Sequence, residues 1–191
     1  MADLIVYMLL LSITPGPNTI ASLINASEKG FFKGITLNLG MVTGIFTIAS
    51  ASYVILATLG KSIPTSSPVF QILGAIYLLY LAYSLATKGK ISLEADNKGG
   101  FKTGFMMQLV NIKVFLLCIT AISSFIIPNS MGYPAVLLIP AICFLSQIAW
   151  ALFGSAISNI YRKYSKAINI VFALMLLYLA IKNVIAFIEA I

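Results

Sequence analysis

One short stretch near the start of the chain combines prolines, a glycine and polar side chains, Thr14-Pro15-Gly16-Pro17-Asn18-Thr19. It lies inside an apolar run, residues 4–26, that contains no charged side chain. A helix cannot pass straight through it, because proline lacks an N–H and disfavours α geometry in the residue before it. In lipid, broken backbone survives only where protein covers it or water reaches it. The stretch therefore predicts two half-helices that meet at a polar break, with Asn18 capping the second, as in transporter substrate sites.

A second polar group, formed by Gln108, Asn111 and Lys113, interrupts a later apolar run. If a helix begins near Gly104, Lys113 lies ~13 Å along it, at 1.5 Å per residue. A cation at that depth is costly unless it snorkels to the surface, pairs or meets water. The lysine stem barely reaches the cytoplasmic surface from there, so we favour a functional lysine over a snorkelling one. Lys182, nearer the outer end of the last apolar run, is expected to snorkel.

The composition is that of a membrane protein without a soluble domain. Of the 191 residues, 60% are hydrophobic and only 9% are charged, and the mean hydropathy is +1.03. We therefore expect an all-α integral membrane protein that forms one transmembrane domain over residues 1–191. The chain has no histidine, and Cys118 and Cys143 lack C-x-x-C spacing. No metal site, cofactor or enzymatic activity is expected.

Six apolar runs predict six transmembrane helices, at about residues 4–27, 34–60, 69–87, 104–127, 134–160 and 167–188. The long hydrophilic segment 88–102 divides them into two halves of three spans. Each half opens with a span that polar residues interrupt, and an odd number of spans inverts one half relative to the other. The pattern predicts an inverted 3+3 repeat with a broken first helix. Gly40 and Gly44 also form a G-x-x-x-G pair in span two, which indicates close helix packing or chance.

Basic residues concentrate in alternate predicted loops. The first, third and fifth loops contain most of them, namely Lys29, Lys33, Lys88, Lys90, Lys98, Lys102, Arg162, Lys163 and Lys166. The second loop has only Lys61, and the fourth has none. Because short cytoplasmic loops are enriched in Lys and Arg, this places the odd loops in the cytoplasm and both termini outside. The same bias accounts for most of the net charge of +7 without a nucleic-acid partner.

The first polar stretch resembles the T/G-P-G-P-N signature of LysE/RhtB-type amino-acid exporters. The similarity continues through the glycines of span two and through the segments 74–82 and 101–113. Where the family has Asn-Pro-Lys, this chain has Asn111-Ile112-Lys113, so a break in span four is not forced. The resemblance implies a six-helix exporter of amino acids or related small metabolites in the inner membrane. It also implies an ion gradient as the driving force, with the proton as the expected coupling ion.

We therefore expect a secondary exporter whose substrate binds between spans one and four. The N-terminus of the second half-helix offers N–H groups and a positive dipole end to a carboxylate, and Lys113 offers a second positive charge. The expected substrate-binding residues are Thr14, Asn18, Thr19, Gln108, Asn111 and Lys113. The hinge that holds the break and allows rocking is expected at Pro15, Gly16 and Pro17.

Two other functions stay open at this point. A membrane scaffold or subunit without transport activity is disfavoured, because an anchor does not need a broken helix. A small-ion or metal exporter is disfavoured by the lack of histidine and of acidic or cysteine clusters in the spans. The expected partners are a small-molecule substrate, a coupling ion and the lipid bilayer, and homo-oligomerisation stays open.

Overall fold

The computed structural model describes residues 1–59, 68–88 and 100–189, and all regular structure in these ranges is helical. The predicted loop residues Lys61, Lys90 and Lys98 lie outside them. The elements are α1 (Ala2–Ile13), α2 (Pro17–Lys29), α3 (Phe31–Leu59), α4 (Pro68–Lys88), α5 (Phe101–Leu109), α6 (Ile112–Ala121) with a following π-helical turn (Ile122–Ile126), α7 (Gly132–Val136), α8 (Leu138–Ala156) and α9 (Ser158–Glu189). The predicted all-α class is confirmed.

Several of these helices are suited to crossing a membrane. Within the described ranges, three helical segments are long and apolar enough, namely Phe31–Thr58, Gly132–Ala156 and Ser158–Lys182. Two bent pairs, α1 with α2 and α5 with α6, raise the number to five if each pair forms one span. The third predicted span coincides with α4, which contributes a shorter apolar segment at Leu78–Thr87. The count of six spans stays a prediction.

The first span is broken where the prolines require it. Helix α1 ends at Ile13, and α2 resumes at Pro17 after a bend of 54°. Proline suits the first position of a helix, because its φ is already helical and its missing N–H would have no partner there. The N-cap is therefore Gly16, and the expectation that Asn18 caps the second half-helix is wrong. Asn18 occupies the second helical position instead.

The fourth span is also broken, although it has Ile112 in place of the proline of the Asn-Pro-Lys motif described above. Helix α5 ends at Leu109, and α6 begins at Ile112 after a bend of 67°. Asn111 is the N-cap of α6, and its side-chain oxygen accepts a hydrogen bond of 3.1 Å from the backbone N–H of Lys113. A capping side chain thus starts the second half-helix here.

The predicted fifth loop is helical. Helix α8 ends at Ala156 and α9 begins at Ser158, so the boundary precedes the predicted end of span five at residue 160. No proline or glycine follows until the end of the chain, so nothing in the sequence stops α9. Its one departure from helical geometry is a kink at Tyr164, with φ −119° and ψ 22°. The basic residues of the predicted loop flank this kink, namely Arg162, Lys163 and Lys166.

The helices of the two halves pack in matching pairs. Helix α3 packs on α8, and α4 packs on α9, which joins equivalent elements of the two halves. Two further sets of contacts also match: α3 lies on α5 as α8 lies on α1, and α2 lies on α8 as α6 lies on α3, whereas the contact of α2 with α3 has no counterpart of similar extent between α6 and α8. This pattern is what an approximate two-fold relation between the halves requires, and it supports the predicted repeat.

Glycines let α3 and α5 approach each other closely. A Cβ atom on Gly40 would overlap the backbone oxygen of Phe101, and one on Gly44 would lie 2.7 Å from Cβ of Gln108. From the other side, a Cβ on Gly104 would overlap the backbone oxygen of Leu37. The G-x-x-x-G pair of span two is therefore a packing surface rather than a chance occurrence. This contact fixes α5, and with it the second helix break.

The same contacts gather basic residues at one end of the bundle. Gly34 lies against Ala26, and Gly104 lies against Leu37, which brings together the end of α2 and the starts of α3 and α5. These three termini contain Lys29, Lys33 and Lys102. The described parts of the first and third loops therefore lie on the same side of the bundle, as the charge pattern predicts.

Candidate functional site

A cluster of three side-chain amides joins the two helix breaks. Asn18 donates to Gln108 Oε1 at 2.8 Å, and Gln108 Nε2 donates back to Asn18 Oδ1 at 3.1 Å. Asn111 Nδ2 donates to the same Asn18 oxygen at 2.8 Å. Gln108 and Asn111 are buried, so water does not reach their amide groups and these hydrogen bonds satisfy them instead. The structure thus brings Asn18 together with two predicted site residues that lie 90 and 93 positions later in the chain, and we call the three the amide cluster.

The two threonines of the first break use their hydroxyl groups locally. Thr19 Oγ1 accepts a hydrogen bond of 2.9 Å from the backbone N–H of Gly16, which is one half of a capping box. Thr14 Oγ1 donates to the backbone oxygen of Leu10 at 2.6 Å. Both residues line the space between the breaks. Their hydroxyls stabilise the turn, so any contact with a ligand would compete with these bonds.

Three side chains bond to the backbone oxygens at the broken end of α1. Ser146 Oγ donates to the oxygen of Ser12 at 2.7 Å, and Trp150 Nε1 donates to that of Ile13 at 3.2 Å. Lys113 Nζ donates to the oxygen of Thr14 at 3.2 Å. Carbonyls at a helix C-terminus lack intrahelical partners, and α8 and α6 supply them here. The break is therefore stabilised by tertiary contacts.

Lys113 lies between the two breaks. It is the second residue of α6, and a Cβ atom on Gly16 would lie 3.1 Å from its Nζ. Its ammonium group bonds to the broken end of α1. This contact places Lys113 at the break, and its role in substrate binding stays a prediction.

Two neighbouring cavities open beside these groups. The large cavity has a volume of about 350 Å³ and the small cavity one of about 30 Å³. The large cavity is of a size that suits a small ligand, and the small cavity holds about two or three water-sized groups. Both cavities are lined by residues of the two breaks, namely Thr14, Pro17, Asn111 and Lys113.

The charge of the large cavity is positive. Lys113 and Lys182 line it, and none of its described lining residues is acidic. Lys182, which we expect to snorkel outward, has an exposed side chain and also lines the same cavity as Lys113. The other walls are mostly apolar, with Leu78, Leu116 and Leu179 among them. Such a cavity favours a ligand that has a carboxylate and whose side chain carries no positive charge.

Helix α8 provides contacts that the sequence did not reveal. Ser146 and Trp150 bond to the broken end of α1, and Gln147 lines the small cavity. The only signal in the sequence is the Ser146-Gln147 pair inside an apolar run. Within the described ranges, no group of three or more His, Cys, Asp or Glu side chains could hold a metal ion.

Comparison with known proteins identifies the family. The family model described as LysE type translocator matches residues 9–186. This chain belongs to the LysE type translocator family. It is 33% identical to the cysteine/O-acetylserine efflux protein of Salmonella typhimurium (strain LT2) over 181 residues, which are 92% of this chain and 93% of that protein. It is 30% identical to the protein of the same name from Escherichia coli O157:H7, with the same coverage.

No solved structure gives a significant match to this translocator. Its family membership confirms the resemblance found in the sequence, and the chain is a multi-pass membrane exporter of amino acids or related small metabolites. The similar proteins are efflux transporters, which agrees with the expected lack of enzymatic activity. The site residues themselves stay predictions, now with a defined geometry.

Replacing Pro15 and Pro17 together by alanine should abolish export by this translocator while it still inserts into the membrane. Alanine restores two N–H groups, so helical bonds can form across the break and straighten the 54° bend. Straightening would separate Asn18 from Gln108. We expect the initial transport rate in proteoliposomes to fall about 100-fold, to near the background of empty vesicles, since misplacement of reacting or binding groups by about 1 Å can cost this much.

Pro134→Ala is the matched control, because Pro134 is exposed in α7 and lines neither cavity described above. Its transport rate should equal that of the wild type. Normal export by the double variant, at equal amounts of inserted protein, would show that the break is incidental.

Proposed function

We propose that this translocator exports a small neutral α-amino acid, of the class that includes cysteine and O-acetylserine, from the cytoplasm. The relatives named as efflux proteins for these two compounds support the proposal, since they align over 92% of the chain. The observation that carries it is the position of Lys113, which lies between two opposed helix breaks and lines a cavity of about 350 Å³.

The carboxylate of the substrate is proposed to bind Lys113 and the N-terminus of α2. In the first turn of α2, the N–H groups of Asn18 and Thr19 have no helical carbonyl to bond, and the dipole end is positive. Lys113 now donates to a neutral backbone oxygen. A carboxylate would be a stronger acceptor, because charge-assisted hydrogen bonds are roughly twice as strong as neutral ones. The amide groups of Asn18 and Asn111 would supply further polar contacts.

The side chain of the substrate is proposed to be neutral and small. The leucine-rich walls of the large cavity favour an uncharged group. A cationic side chain would meet Lys113 and Lys182 without an acidic partner among the described lining residues. The cavity therefore disfavours lysine and arginine, in spite of the name of the family.

The export cycle is proposed to use the breaks as hinges and an ion gradient as its energy source. Rocking of one half against the other around a central site is the usual mechanism for repeats of this kind. The segment Pro15–Gly16–Pro17 would act as the hinge in the first half. The proton is the coupling ion that we propose, on the strength of the family resemblance.

A transport assay tests this function. Purified protein is reconstituted in proteoliposomes, a pH gradient is imposed, and labelled cysteine, O-acetylserine, serine, lysine and glutamate are compared. We expect the three neutral amino acids to be transported and lysine to be excluded, because the cavity is positive. Transport of lysine alone, or of none of the five, would contradict the proposal.

We propose that the protein lies in the inner membrane with both termini outside the cytoplasm and the basic end of the bundle inside it. Reporter fusions at the C-terminus and in the segment 89–99 check this. A phosphatase, which is active only outside the cytoplasm, should be active at the C-terminus and inactive in the segment. A C-terminus found in the cytoplasm would refute either the six spans or their orientation.

Lys113→Met should keep the protein folded, because it removes an intramembrane charge that is costly to hold. It should slow export of neutral amino acids by about tenfold or more, since a charge-assisted bond to the carboxylate is lost. Lys113→Arg should restore transport only in part, because a planar guanidinium does not replace a compact ammonium group. The measurement is the initial rate in the same proteoliposomes at equal protein content.

Lys182→Met is the matched control, since Lys182 is a second lysine on the large cavity but does not contact the break. We expect it to reduce transport much less than Lys113→Met does. Loss of transport in Lys182→Met with normal transport in Lys113→Met would move the site towards span six and the outer face.

A further inference from the structure

Helix α8 contains a buried amide that the proposed roles leave unused. Gln147 is only 2% exposed, and its Oε1 atom has no hydrogen-bond partner among the described residues. A buried acceptor without a partner keeps the cost of its desolvation, so a donor that reached it would bind favourably. Gln147 belongs to the lining of the small cavity, so a group bound there would lie next to this side chain.

Two side chains near Gln147 on α8 bond to the end of α1. Ser146 and Trp150 donate to the backbone oxygens of Ser12 and Ile13, which holds α8 against the end of α1. The C-terminal end of a helix is the negative end of its dipole and favours a cation. Ser12 and Gln147 line the small cavity together with Lys113 and with Asn18 at the positive start of α2, so this cavity offers groups of both signs to a zwitterion.

The small cavity is large enough for an ammonium group. At about 10–15 Å³ for each water-sized probe, its volume of about 30 Å³ holds about two or three such groups and not a whole amino acid. Thr14, Pro17, Asn111 and Lys113 line both cavities, so the two cavities are neighbours and Lys113 contributes to both.

We propose that Gln147 accepts a hydrogen bond from the α-ammonium group of the substrate. This inference rests on the proposed function and adds the basis of selection for α-amino acids over simple carboxylates. The ammonium group and the carboxylate are attached to one carbon atom, so their partners must lie on adjacent walls. The ammonium group enters the small cavity beside Gln147, the carboxylate meets Lys113, and the side chain occupies the large cavity.

The test compares an amino acid with its analogue that lacks the amine. Proteoliposomes transport labelled cysteine under reducing conditions, and unlabelled cysteine or 3-mercaptopropionate competes. The measured quantity is the ratio of the two inhibitory concentrations, which reports only the contribution of the ammonium group. The wild type should prefer cysteine, and Gln147→Met should reduce this preference about tenfold or more, as expected for a lost hydrogen bond to a charged group.

A second variant guards against misfolding of the first. Gln147→Glu keeps the shape of the side chain and replaces the amide by a carboxylate. It should raise the preference for cysteine severalfold, because a carboxylate bonds an ammonium group more strongly than an amide does. If Gln147→Met does not insert, the ratio in Gln147→Glu decides: a preference no larger than that of the wild type overturns the inference.

Asn38→Leu is the matched control. Asn38 is 1% exposed and its Nδ2 atom also has no partner among the described residues, but it lines neither cavity. The Asn38→Leu variant should leave the ratio unchanged, and Lys113→Met should weaken both competitors equally.

The inference would be overturned, with the proposed function intact, if Gln147→Met affected both competitors equally or if the wild type showed no preference for cysteine. A wild type that exports no amino acid would refute the proposed function, and the inference with it.

Discussion

A polypeptide that crosses a bilayer must find a partner inside the protein for every backbone N–H and C=O group. The rest of this structure depends on how the backbone groups at the two broken spans find their partners. The last carbonyls of α1 bond to side chains of α8 and α6, and the first turn of α6 is capped by its own Asn111. The amide cluster then joins the two breaks directly. The two breaks therefore stabilise each other, because each supplies hydrogen-bond partners to the other.

The same bonds are compatible with the proposed use of the break as a binding site. Each hydrogen bond of the amide cluster contributes only about 0.5–1.5 kcal/mol net, since folding exchanges it for bonds to water. A zwitterionic ligand offers donors and acceptors of equal or greater strength, so it can replace these bonds at little cost. Rigidity comes instead from the glycine contacts of α3 with α5, which leave no room for a side chain. The close contact of α3 with α5 and the exchangeable polar groups of the two breaks are thus different parts of the fold.

Much of this arrangement was predictable from single residues. Two prolines inside an apolar run force a break, and the depth of Lys113 along its span indicates a function. The errors arose where local rules compete: Pro17 suits the first helical position, so Gly16 rather than Asn18 became the cap. The contacts of α8 could not be predicted, because Ser146 and Trp150 bond to backbone oxygens more than 130 residues away and a backbone oxygen has no sequence signature.

The two halves match each other in packing far better than in sequence, and the breaks show why. The first break is imposed covalently, since Pro15 and Pro17 cannot continue a helix, at a cost of about 3 kcal/mol or more. The second is maintained by a cap at Asn111, which contributes about 1 kcal/mol. Different residues thus produce bends of 54° and 67° at equivalent places. What the repeat requires is a helix that stops and restarts with its polar groups satisfied, and the proline of the Asn-Pro-Lys motif that the family resemblance leads us to expect is one way to achieve this, not the only one.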